Sequence, residues 1–146
     1  MCRVRNLVPG KTMRSTVIAY VATTVVFFAM DFVWLSVALN AIYKPNLGGL
    51  LLDKPNMPVA AGFYLLYVVG VLAFAVMPAL AQGDWTRALW GGALLGLVAY
   101  GTYDMTNLAT TAGWSAIVSV VDMAWGTFVT AVASVAAFFI VRAFGT

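Results

Sequence analysis

The sequence predicts an all-α fold: a polytopic membrane protein built as a four-transmembrane-helix bundle. Three observations carry that reading. Of the 146 residues, 63% are hydrophobic and only 9% are charged, too few to cover the surface of a water-soluble domain of this size. Mean hydropathy is +0.95. Four apolar stretches approach or exceed the roughly 20 residues that a helix needs to cross hydrocarbon.

The spans fall at about 16–40, 58–80, 88–112 and 115–142, forming one domain over residues 16–142 behind a basic tail, residues 1–15. Each carries its own end signals. Asn56 and Pro58 suit the start of the second helix, as a cap followed by an early proline. Gly113 suits the residue that ends the third helix, and Ser115 can cap the fourth. Trp85, Trp90, Trp114 and Tyr43 fall near span ends, where amphipathic rings favour the lipid–water boundary. Residues 41–57 form the longest connection, in which LGGLL is expected to dip into the interface.

Charge sets the expected orientation. Arg3, Arg5, Lys11, Arg14, Arg87 and Arg142 fall on one side, and Lys44 and Lys54 on the other. Cytoplasmic enrichment of Lys and Arg puts both termini inside. The first span is too long for a cleaved signal sequence and reads as a retained anchor. Met13, just before Arg14, is a second candidate start, which would make residues 1–12 an upstream extension.

Composition also excludes chemistry. There is no His and no Glu, and the lone Cys2 lies in the tail. Disulfide frameworks, ordinary zinc sites, His-ligated haem and Cys–His nucleophiles are thereby excluded. A net charge of +3 without a basic stripe makes nucleic acid an unsuitable partner. No cofactor is expected.

The residues that do not suit hydrocarbon are Asp31, Asp104 and Asp122. A carboxylate near the centre of a span costs about 2.5–3.5 kcal/mol on insertion scales. Asp104 lies nine positions before Gly113 and Asp122 nine after it. A tight turn there makes the helices antiparallel and sets both carboxyls about 13 Å from the turn. Asp31 and the pair Tyr64 and Tyr67 lie at a similar distance from the same end. Tyr100, Tyr103, Asp104, Asn107 and Thr111 form one stripe at helical spacing, and Ser115, Ser119, Asp122 and Gly126 another. Such stripes are expected to face one another, with Trp34 and Trp125 as pocket walls or core. The carboxyls should titrate as a coupled set, at least one holding a proton at neutral pH unless a cation is bound. Gly92-x-x-x-Gly96 and Gly126-x-x-x-Thr130-x-x-x-Ser134 read as close-packing faces.

Three functions fit this pattern. The first is a site for a small ligand, a proton or a cation in a binding or transport protein. Four helices offer little wall for gates, so transport implies a homodimer among membrane lipids. The second is a lipid- or isoprenoid-modifying enzyme with the Asp residues as acid and base. No metal is expected; the one pair offering oxygen ligands to Mg²⁺ is Asp104 and Asn107. The third is a structural or assembly subunit, with the polar groups joining helices.

DFVWL, Tyr43 with LGGLLLDKPN, FYLLYVVG, GALLGLVAYGTYDMTNLAT, GW and VDMAWG together resemble a family of small bacterial integral membrane proteins, the domain of unknown function 2177. The resemblance covers about residues 16–135, and YDMTNLAT and VDMAWG are its most specific parts. It implies a four-helix fold in the bacterial inner (cytoplasmic) membrane and supplies no activity. The tail before Met13 departs from the pattern.

Overall fold

The computed structural model describes residues 9–145, with side chains from Met13 onward. Among these residues there are helices and no strands. Helix α1 (Pro9–Ala38) runs on through a π turn (Leu39–Tyr43), a helical turn (Lys44–Leu47) and a 3-10 turn (Gly48–Leu50). Helix α2 (Met57–Gln82) contains a second π turn (Leu72–Val76). Helices α3 (Trp85–Thr110) and α4 (Ala116–Phe144) complete the bundle.

Three stretches are long and apolar enough to cross a membrane: Met13–Leu50, Met57–Gln82 and Ala116–Phe144. Helix α3 has 26 residues and is about 39 Å long at 1.5 Å per residue. Its polar stripe lowers its hydropathy.

Both π turns have the same local cause. Each ends two residues before a proline, Tyr43 before Pro45 and Val76 before Pro78. A proline inside a helix donates nothing to the carbonyl four residues back, and its ring collides with that carbonyl. The helix widens instead: Lys44 N–H reaches the Leu39 carbonyl and Met77 N–H the Leu72 carbonyl. The first helix therefore does not stop near residue 40. It stays helical to Leu50, and only a short connection remains before α2. The basic tail also contributes to α1, which begins at Pro9. Met1 and Cys2, and the tail up to residue 8, lie outside the described residues.

Side-chain caps start the other helices. Asn56 accepts from Val59 N–H at 3.3 Å, Asp84 from Thr86 N–H at 2.9 Å, and Ser115 from Val118 N–H at 3.4 Å. Gly83 and Gly113 turn the chain at φ 70° and 79°. Helix α3 ends at Thr110, before Thr111 becomes extended, two residues short of the expected end.

Neighbouring helices run antiparallel. Ser15 donates to the Gly145 carbonyl at 2.9 Å, which joins the start of α1 to the end of α4. Helices α3 and α4 touch at backbone distance. A Cβ on Gly92 would lie 2.8 Å from the Thr130 carbonyl oxygen, and one on Gly96 would strike the Gly126 carbonyl. Small residues permit that approach, where dispersion and polar contacts replace the hydrophobic drive of a soluble bundle. Phe27, Val68, Val71, Val76, Val129 and Phe138 fill the interior toward the terminal end.

Candidate functional site

Asp104 lies six residues before the end of α3, and Asp122 six after the start of α4. Both are therefore about 9 Å from the loop end of the bundle. Asp31 on α1 and Tyr64 on α2 reach the same level. Asp104 is 0% exposed and Asp31 5%, whereas Asp122 is half-buried.

Each carboxyl has a different surrounding. Asp31 accepts from Trp125 Nε1 at 3.1 Å, and Tyr64 presents its hydroxyl to it. Asp122 accepts from the Tyr43 hydroxyl, which itself accepts from Trp34 Nε1 at 3.0 Å. The indoles of Trp34 and Trp125 stack with centroids 4.5 Å apart and planes 8° apart. Their N–H groups point to different partners, one reaching Asp31 directly and the other Asp122 through Tyr43.

Asp104 is the exception. Neither of its oxygens has a hydrogen-bond partner, although its carboxyl faces that of Asp122 within hydrogen-bonding reach. Two carboxylates have only acceptors to offer each other, so the pair lacks one donor hydrogen. Ser119 tightens the same spot: its hydroxyl contacts the Asp104 carbonyl at 3.4 Å and accepts from Trp114 Nε1 at 3.0 Å.

Two adjoining cavities open beside the carboxyls. The smaller one, of about 180 Å³, is bounded by Asp31, Trp34, Tyr43 and Asp122. The outer one, of about 370 Å³, has Tyr64 and Tyr67 on one wall, Tyr100 on the other, and Asp122 behind. Tyr64, Tyr100, Tyr103 and Asp122 line both. The outer cavity opens between α2 and α3, where Phe63 and Tyr103 are 62% and 57% exposed. Tyr100 can lean in because Gly126 has no side chain; a Cβ there would strike its ring.

Of the residues predicted to meet, Asp31, Asp104, Asp122, Tyr64, Tyr100, Tyr103, Trp34 and Trp125 converge. Tyr67 lines the outer cavity but bonds about two turns deeper than Asp122, to Thr130 at 2.9 Å. Asn107 stays apart. Its amide donates to the Tyr103 carbonyl at 2.9 Å and accepts from Thr111 at 3.2 Å, so it is tied to its own helix. The suggested Asp104–Asn107 pair for Mg²⁺ is therefore not assembled. Among the described residues, no group of three His, Cys, Asp or Glu side chains is placed closely enough to hold a metal ion.

Tyr43 and Trp114, which the sequence places near span ends, both face the bundle, Tyr43 reaching Asp122 and Trp114 reaching Ser119. Nine residues are two and a half turns of regular helix, which would put Tyr43 opposite Trp34. The π turn rotates it back. Pro45 was the available signal.

Among the described residues, the arginines stand away from the group, and Lys44 and Lys54, at its own end of the bundle, are exposed. Arg14 and Arg142 lie at the end joined by Ser15 and Gly145, Arg87 lies near the start of α3, and Lys44 turns outward to Asn40 at 2.9 Å.

The chain matches no curated protein and no solved structure. A family model described as "Predicted membrane protein (DUF2177)" matches residues 16–139. With most of the chain inside that match, including Asp31, Asp104, Asp122 and the aromatic residues around them, the chain belongs to the DUF2177 family of predicted membrane proteins.

Proposed function

We propose that this protein is a proton-exchanging binding protein of the bacterial cytoplasmic membrane, with Asp104 and Asp122 as its proton carrier. The carrying observation is the unpartnered, fully buried Asp104 carboxyl facing a second carboxyl. A proton between them supplies the missing donor. Structural glue accounts poorly for this arrangement, because polar groups that join helices gain their energy from hydrogen bonds. The titratable groups facing the pair are Asp31 and Tyr43 from α1 and its continuation, Tyr64 from α2, and Tyr100 and Tyr103 from α3. None is a base with a fixed positive charge. Arg14, Arg87 and Arg142 gather at the other end, which supports both termini lying in the cytoplasm. The half-buried Asp122 gives the proton a route to the outer cavity, and moving a ligand across the membrane would engage a homodimer.

Infrared difference spectroscopy of the full chain in nanodiscs tests the proton carrier. A protonated-carboxyl band should titrate with pH and be lost or shifted in Asp104→Asn, with the protein still folded. A spectrum without a titrating carboxyl, or one unchanged in Asp104→Asn, would overturn the proposal.

A further inference from the structure

We infer that the outer cavity is a side-entry slot for an organic ammonium group carried on an apolar body. This rests on the proton-exchange reading, since the ammonium would face the charge that the departing proton leaves on Asp122. The first observation is the wall chemistry. Tyr64, Tyr67, Tyr100 and Tyr103 contribute four aromatic rings, and Asp122 is the ionisable group behind them. Ring faces attract cations within about 6 Å of their centroids, with quaternary ammonium groups the best-known ligands of aromatic cages. Tyr67 and Tyr100 already meet edge to face at 6.5 Å, which fixes one corner of the cage.

The second observation is size and access. A volume of about 370 Å³ lies in the range of small-molecule sites, roughly 300–1,000 Å³. The mouth lies between α2 and α3, flanked by the exposed Phe63 and Tyr103. In a membrane, that direction leads to lipid, so the ligand's apolar part can remain in hydrocarbon while its charge enters.

The third is charge. The buried, unpartnered Asp104 stands behind Asp122. An anionic ligand such as a phosphate would meet carboxyls and no counter-charge. A hydrated metal ion would meet rings rather than three converging oxygen ligands. An alkylated ammonium is weakly hydrated, and the proton it displaces adds one negative charge to the pair for it to neutralise.

Benzyltrimethylammonium is a suitable probe, with neopentylbenzene as its uncharged isostere, titrated into the full chain in nanodiscs by calorimetry. The ammonium should bind, more tightly at mildly alkaline than at mildly acidic pH, and release protons as it does so. Asp122→Asn should weaken it about tenfold or more. Tyr103→Leu should weaken it and Tyr103→Phe should not; as an exposed wall residue, Tyr103 allows this test even if Asp122→Asn fails to fold. Equal binding of neopentylbenzene, or an affinity indifferent to both Asp122→Asn and Tyr103→Leu, would overturn the inference. A titrating carboxyl band with no ammonium binding ends the slot and leaves the proton carrier standing. Ammonium binding that needs Asp122 and Tyr103 but shows no proton release keeps the slot and ends the proton carrier.

Discussion

Tyr43 donates its phenolic hydrogen to Asp122, a residue 79 positions away, and so ties the continuation of the first helix to the fourth. The same oxygen receives Trp34 Nε1 at 3.0 Å. One phenol thus serves as donor and acceptor between an indole and a carboxyl. Asp122 is held in a fixed direction while Asp104, behind it, has no such partner.

Tyr43→Phe should therefore destabilise the protein by about 1–3 kcal/mol, because it leaves a part-buried indole N–H and a carboxyl without partners. Thermal unfolding in a mild detergent measures this. Adding Trp34→Phe should cost less than the sum of the single changes, since the orphaned N–H is removed as well. Simple additivity would show that the Trp34–Tyr43–Asp122 chain does not act as a unit.

Asp104→Asn should fold as well as the wild type or be stabler by about 1 kcal/mol. Its amide supplies permanently the donor that the wild type obtains only by binding a proton, and a buried polar group without a partner is costly. Function and stability then part company, as they do where an active site holds strain. A clear fall in unfolding temperature would show that the Asp104 carboxyl has partners that this packing does not contain.

The contact between α3 and α4 should tolerate no added methyl group. Gly96→Ala meets the Gly126 backbone and Gly126→Ala meets the Tyr100 ring; each should cost more than about 2 kcal/mol or prevent folding. Gly62→Ala, with nothing within 4 Å of the added carbon, should be neutral or stabilise by up to about 1 kcal/mol through helix propensity. The two groups are best compared as unfolding temperatures and yields of folded protein.

Asp84 gives a pH dependence outside the membrane spans. Its carboxyl is held below the usual carboxylate range by the Thr86 hydroxyl first and then by the Thr86 backbone N–H. A folded-state pKa below the unfolded one contributes stability that is complete above the unfolded value, about 4 for Asp. That contribution disappears as pH falls through the lower folded value. The gap in unfolding temperature between wild type and Asp84→Ala should thus be widest at neutral pH and close in acid. A gap that persists in acid would mean that the cap does not need its charge.

The sequence by itself determined the bundle and the height of its carboxyls. Apolar runs of spanning length force helices, since hydrocarbon leaves backbone groups no other partner. With a tight turn at Gly113, the equal spacing of Asp104 and Asp122 from it fixes their common depth. Depth is a one-dimensional property, and residue counting measures it. Tertiary structure decided the rest. The rotation of Tyr43 depends on how the helix widens ahead of Pro45, and the withdrawal of Asn107 on a local competition for its amide. The orphaning of Asp104 and the open seam between α2 and α3 depend on how closely two glycine-bearing faces dock. None of these leaves a periodic trace along the chain, because each is settled by which side chain reaches a partner across the bundle first.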